Sequence, residues 1–144
     1  MRAVRQFEEF LEGGIVKKQS PDKSRYEFLQ NEAEKSYSFL LEKINKIGLR
    51  NDNANDFVKS CYDILMECIR SRMLKEGYNA SGSHAHEAEV SYLRKISKTE
   101  IDIQFADQLR YFRNGMLYYG TSLDKEYAEK VISFTKKIYS LLKK

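Results

Sequence analysis

The sequence predicts an all-α protein, an antiparallel up-and-down bundle of about five to six helices. Apolar residues recur at steps of three and four almost from end to end, and no stretch alternates as a strand does. One proline and seven glycines interrupt 144 residues, which suits helices joined by short connections. We expect one domain over residues 1–144, in which residues 1–19 form a short helix and a linker.

Start and stop signals place the individual helices. Ser20 is predicted as a cap with Pro21 at the first helical position, and Ser97 to Glu100 match a capping box. Ser122 or Asp124 is expected to cap the last helix. The predicted helices run over about 2–12, from Pro21 to Gly48, from Asn53 to Gly77, over about 84–96, from Glu100 to Gly120, and from the last cap onward.

Composition and cysteine spacing favour a cytoplasmic protein without a membrane segment. The net charge of +4 is compatible with RNA or with acidic partners but establishes neither. The first residues include acidic side chains and no apolar run, unlike a secretory signal, and no stretch approaches the roughly 18 apolar residues of a membrane span. Cys61 and Cys68 lie seven residues apart on one predicted helix, about 10 Å, which is too far for a disulfide.

We expect no metal centre and no cofactor. His84 and His86 are two residues apart, so they diverge on a helix. The sequence also has no Glu-x-x-His repeats of the kind that build metal centres in bundles. A Gly-rich phosphate loop and a nucleophile elbow are absent as well.

The fifth predicted helix has two distinct faces when successive residues are set 100° apart. The expected core stripe is Phe105, Leu109, Phe112, Met116 and Tyr119. The opposite face is Asp107, Arg110, Asn114 and Tyr118, and Arg113 lies at its shoulder. Two interpretations stay open, a solvated surface with an Asp107–Arg110 pair or a binding face anchored by Arg113.

The segment Arg113-Asn114-Gly-Met-Leu-Tyr118 resembles the Arg-Asn-x-x-x-His motif of the HEPN superfamily, small helical bundles found in prokaryotic RNase toxins and defence proteins. A second likeness is the turn Gly77-Tyr78 followed by Ser83-His84. The resemblance covers roughly residues 25–142. It implies a two-fold dimer that brings two copies of the motif helix together across a basic cleft.

The resemblance also implies metal-independent RNA cleavage in active members, through the motif arginine and histidine. This chain departs from the motif because Tyr118 occupies the histidine position. A tyrosine, with an ordinary pKa of about 10, is a poor base at neutral pH, although it can donate a hydrogen bond or stack on a base. Either the site only binds, or another group transfers the proton; His84 is the candidate, with an ordinary helix-terminal role as its alternative.

We therefore expect an HEPN-like protein that binds RNA or a partner through the Arg113/Asn114 helix without efficient catalysis. The alternatives are a metal-independent endoribonuclease of the toxin or defence type with a composite site across a homodimer, and a non-catalytic partner of a nucleotidyltransferase-type protein. The candidate catalytic residues are Arg113, Asn114, Tyr118 and His84. The candidate RNA contacts are Arg110, Arg113, Tyr118 and Tyr119.

Overall fold

The computed structural model describes residues 3–143, without the side chains of Leu117 and Tyr118. Over this range the chain forms six α-helices and one two-stranded sheet, so the expected all-α bundle is confirmed. The elements are α1 (Phe7–Glu12), β1 (Val16–Lys18), α2 (Lys23–Lys46), α3 (Ala54–Lys75), β2 (Tyr78–Ala80), α4 (Ala85–Tyr92), α5 (Glu100–Tyr118) and α6 (Lys125–Lys143).

Helix α3 is the central element of the bundle. It packs against α2, α4, α5 and α6. Its buried side chains lie on most sides of the helix, as expected for a helix enclosed by others. Cys61 and Cys68 are free thiols of α3, and burial raises their pKa to about 11 and about 12 respectively. Both thiols are therefore protonated near neutral pH and serve as packing groups.

The segment before α2 belongs to the core and includes a short strand where a linker was expected. Strand β1 pairs antiparallel with β2, with Val16 opposite Ala80. Phe7 is buried, and its ring lies edge-on to those of Tyr78 and Tyr92, at centroid distances of 5.2 and 5.1 Å. The expectation of no strands was wrong because strands of three residues are too short to show alternation.

Two of the expected helix caps differ in the structure. Helix α2 is capped by Asp22, whose Oδ1 accepts a hydrogen bond from the Arg25 backbone N–H at 3.1 Å, so Pro21 precedes the helix. Helix α5 begins after Thr99; Ser97 donates to Asp102 at 2.6 Å instead of capping the helix. The cap at Asp124 is present, because its Oδ1 accepts from the Tyr127 backbone N–H at 2.8 Å.

Within the described residues, none of the helices combines the length and the apolar character that crossing a membrane requires.

Candidate functional site

Helix α5 buries a different face from the predicted one. Its fully buried apolar residues are Ile103, Ala106 and Leu109, whereas Tyr119 is 85% exposed. Of the expected stripe only Leu109 is fully buried, and Phe105, Phe112 and Met116 are partly buried. The centre of the buried face therefore lies about 100° around the helix from the predicted stripe.

An ion pair within α5 explains why the buried face differs from the predicted one. Asp107, expected on the outer face, is buried, and Arg110 donates from Nε to Asp107 Oδ1 at 2.8 Å. The two side chains line a cavity of about 110 Å³ together with Arg5 and Glu87. A neutralised, hydrogen-bonded carboxylate can occupy a helix–helix contact that an unpaired one cannot. Arg110, a predicted RNA contact, thus already has a carboxylate partner within its own helix.

Arg113 lies near the centre of the buried face, one turn after Leu109. Its side chain is only 20% exposed. The Nε and Nη1 atoms are buried without a hydrogen-bond partner, and they are the only such side-chain atoms among the described residues. The nearest carboxylate is that of Asp63, whose Oδ1 lies 3.6 Å from Nε, close enough for an ion pair but too far for a hydrogen bond. Leaving such donors unpaired costs about 1–3 kcal/mol.

A groove of about 330 Å³ opens beside Arg113 between α3, α4 and α5. We name it the Arg113 groove; its polar lining is Asp63, Glu67, Arg70, His86, Arg113 and Asn114. Asn114 is exposed, so its amide can both donate and accept hydrogen bonds at the groove. The two motif residues Arg113 and Asn114 thus lie at one concave surface of the chain.

The histidine of the groove is held by a buried carboxylate. Glu89, which is 2% exposed, accepts two hydrogen bonds from Arg70, from Nε at 2.7 Å and from Nη2 at 3.1 Å. Its Oε1 also lies 3.2 Å from Nδ1 of His86. Burial raises the pKa of Glu89, but the hydrogen bonds from His86 and Arg70 outweigh that effect and the pKa lies below its ordinary value. Glu89 therefore stays ionised near neutral pH.

His84, the predicted proton-transfer residue, lies outside the Arg113 groove. It is the residue before α4, its side chain makes no capping hydrogen bond, and its Nδ1 lies 3.9 Å from Glu87. Glu87 is itself held by Arg5 through two hydrogen bonds of 3.0 and 3.2 Å. From the sequence, His86 was expected only to diverge from His84 and not to line this site, since the packing of α4 against α5 decides which histidine faces the groove.

Gly115 allows the chain after α5 to pack closely against the end of that helix. A Cβ on Gly115 would lie 2.6 Å from Thr121 Oγ1. The backbone N–H groups of Tyr119 and Thr121 both donate to the Gly115 carbonyl, at 2.9 and 3.1 Å. The glycine thus lets the connection to α6 fold back against the end of α5. The side chain of Tyr118, predicted as a catalytic residue and an RNA contact, lies outside the described part of the structure.

Charges of both signs line the Arg113 groove. Arg70 is committed to Glu89, whereas Arg113 faces only the loose ion pair with Asp63. Glu67 has a raised pKa, first because of burial and then because of the negative charges of Asp63 and Glu32. The groove thus offers one incompletely paired guanidinium beside an acidic wall.

Comparison of the chain with protein-family models, with curated proteins and with solved structures gives no match. The likeness to the HEPN superfamily accordingly rests on the short motifs of the sequence.

Proposed function

We propose that this chain is an HEPN-like RNA-binding protein that contacts backbone phosphate through Arg113. The observation that carries the proposal is the guanidinium of Arg113, a residue that lines an open groove and has two buried N–H groups without hydrogen-bond partners. These buried donors destabilise the unliganded protein, and they would gain a partner if the side chain turned toward a ligand oxygen in the groove. Guanidinium binds phosphate well because its planar donors match two phosphate oxygens.

Single-stranded RNA fits the groove better than a duplex does. A concave site of about 330 Å³ suits one unstacked nucleotide, and single strands are the RNA form whose bases can enter such a site. Asn114 supplies an exposed amide next to Arg113, which can bond to a base edge or to a 2′-hydroxyl. In this proposal Arg113 provides the phosphate contact and Asn114 the neighbouring polar contact.

The acidic wall gives a direct test. Asp63→Asn removes the carboxylate 3.6 Å from Arg113, so RNA binding should tighten by about two- to fivefold, as expected for loss of one partly exposed competing charge. Asp52→Asn makes the same charge change on the exposed turn before α3, where Asp52 pairs with Arg50. Fluorescence anisotropy with a labelled single-stranded RNA at two salt concentrations compares the variants.

Equal tightening in both variants contradicts the proposal, since it reports only the net charge of the protein. Weaker binding in Asp63→Asn contradicts it as well, because phosphate would not then compete with this carboxylate for Arg113.

An uncharged surface on α5 supports a second proposal, the homodimer expected from the resemblance. We name it the α5 outer face; it consists of the uncharged residues Ile101, Gln104, Phe105, Gln108 and Tyr111, and Glu100 lies at its edge, paired with Arg94. Ile101 is 76% exposed and Tyr111 is 49% exposed. Two copies with a net charge of +4 each repel one another, so a neutral, partly apolar face is where they can meet.

Ile101→Glu should therefore convert a dimer into a monomer, because two carboxylates would face each other across a two-fold contact. Ser133→Glu, which adds the same charge at an exposed position of α6, should leave the dimer intact. Light scattering over a range of protein concentrations measures the mass. A wild-type protein that is monomeric throughout would contradict the dimer and leave the α5 outer face for the nucleotidyltransferase-type partner.

A further inference from the structure

The outer side of α2 carries two exposed phenylalanines. Phe28 and Phe39 are each 61% exposed. They are eleven residues apart, about three turns plus 20°, so both rings project from the same side of the helix. The buried residues of α2, Ala33 and Leu40, lie roughly 110–130° around the helix from this side. Helix α2 thus presents aromatic surface away from the core of its own chain.

Charged residues continue the line of the two phenylalanines. We name this line the α2 stripe; it follows alternating steps of three and four residues through Arg25, Phe28, Glu32, Lys35, Phe39 and Glu42. Five of the six residues are exposed, and the side chain of Glu32 is 41% exposed. Steps of three and four average about 3.5 residues, the period at which one helix keeps facing another along its length. The α2 stripe therefore has the spacing of a surface that pairs with a helix.

The α2 stripe is complementary to itself when a second copy lies antiparallel to it. A two-fold axis midway between Glu32 and Lys35 places every member of the stripe opposite another member in the second copy. Arg25 then faces Glu42 of the second copy, Phe28 faces Phe39, and Glu32 faces Lys35. The two-fold axis repeats each pair. Apolar surface therefore meets apolar surface, and each charge meets its opposite.

The same charges disfavour the other arrangements. Sliding the second copy by one heptad in one direction places Glu32 opposite Glu42. Sliding it in the other direction places Arg25 opposite Lys35. A parallel copy would place each charged residue opposite itself. Because like charges held opposite one another disfavour a helix pair, the α2 stripe specifies a single register.

We propose that the α2 stripe binds a second copy of this chain, antiparallel and about the two-fold axis between Glu32 and Lys35. Space for the contact is present beside Phe39, which lines a groove of about 400 Å³ between α2 and α3. The Phe28 ring of the second copy lies against Phe39 at this groove, and the pair is repeated across the axis. The contact goes beyond the proposed function, because it does not depend on RNA.

The contact is expected to be weak. Between Arg25 and Glu42 the helix is about 26 Å long and about 10 Å wide, well below the roughly 800 Å² per partner of a stable interface. We expect a dissociation constant on the order of 0.1 mM. The α2 stripe and the α5 outer face lie on different helices, so the Ile101→Glu variant keeps the α2 contact. That variant should be monomeric at micromolar concentrations and should dimerise as its concentration approaches millimolar.

Exchange of the two central charges is the decisive test, carried out in the Ile101→Glu chain. Glu32→Lys alone places two lysines opposite each other on both sides of the axis, and Lys35→Glu alone places two carboxylates there. Each should weaken dimerisation about tenfold or more, because attraction becomes repulsion in both central pairs. The chain with both changes has opposite charges in these pairs again and should dimerise as tightly as Ile101→Glu alone. Sedimentation equilibrium measures the dissociation constants.

Mixing the two single variants tests the register itself. The Glu32→Lys chain has only positive charges at the two central positions, and the Lys35→Glu chain has only negative ones. In an equal mixture the two chains should form a heterodimer with the affinity of the Ile101→Glu parent, although neither dimerises well alone. This recovery also shows that the single variants are folded.

Glu27→Lys is the control for net charge. Glu27 is an exposed residue of α2 that pairs with Lys23 at 3.8 Å and lies about 110° around the helix from the α2 stripe. Its replacement should leave the dissociation constant unchanged. The proposal is overturned if Ile101→Glu stays monomeric up to millimolar concentration, if the second charge change fails to restore dimerisation, or if Glu27→Lys weakens it as much as Glu32→Lys does.

Discussion

Replacing Arg113 with methionine is expected to weaken RNA binding by about 10- to 100-fold, because hydrogen bonds to a charged group contribute about 1.5–3 kcal/mol. The same change is expected to leave the free energy of unfolding equal to or above that of the wild type. The buried Nε and Nη1 atoms have no hydrogen-bond partner to lose, and methionine fills a similar volume. Anisotropy and urea denaturation measure the two quantities.

Arg70→Met is the matched control, since Arg70 is a partly buried arginine of the same groove with its hydrogen bonds satisfied. It should lower the free energy of unfolding by roughly 2–4 kcal/mol, because Glu89 is left buried without its main partner. If Arg113→Met is destabilised as much as Arg70→Met, Arg113 is a structural residue and the RNA proposal fails. If the RNA affinity of Arg113→Met equals that of the wild type, the RNA proposal also fails.

Gly77→Ala is expected to lower the free energy of unfolding by about 3 kcal/mol and the melting temperature by roughly 10 °C. Gly77 has a φ of +88°, which costs any residue with a Cβ about 1–2 kcal/mol. The added Cβ would also lie 2.7 Å from the backbone oxygen of Gln19, which cannot rotate away. The Gln19 N–H donates to the Gly77 carbonyl at 2.9 Å, so the change acts on the join between β1 and β2.

Gly14→Ala isolates the backbone part of that effect, so the difference between the two variants gives the steric part. Gly14 has a φ of +77°, but a Cβ there meets nothing within 4 Å. It should lose only about 1–2 kcal/mol, the cost of the left-handed backbone conformation alone. Equal losses in the two variants, measured by thermal denaturation, would show that the backbone around Gln19 yields and that the contact is not a fixed one.

The helices could be predicted from sequence because each is specified by many residues with a repeating pattern. Helix α3 illustrates this, since its expected start near Asn53 and stop at Gly77 lie within two residues of the observed bounds. The strands could not be predicted, because β1 and β2 have three residues each and stabilise one another only after the chain has folded.

The sequence indicated two residues of the candidate site, Arg113 and Asn114, but not the third, His86. Arg113 and Asn114 are adjacent in sequence, so a motif reveals them together. Their link to His86 depends on how α4 packs against α5, which no local pattern records. Asp107 was assigned to the outer face of α5 because it is charged. Its carboxylate is buried instead, because it is paired with Arg110 of the same helix.

The pairing of β1 with β2 determines the order in which the chain can fold. Residues 3–19 are synthesised before their partners, Tyr78, Tyr92 and the α4 carboxylate of Glu87, which follow only after α2 and most of α3. Helices α2 and α3 can associate as soon as both are made, because they pack directly against each other. Residues 3–19 are therefore expected to reach their final contacts late, together with α4, the helix that carries His86.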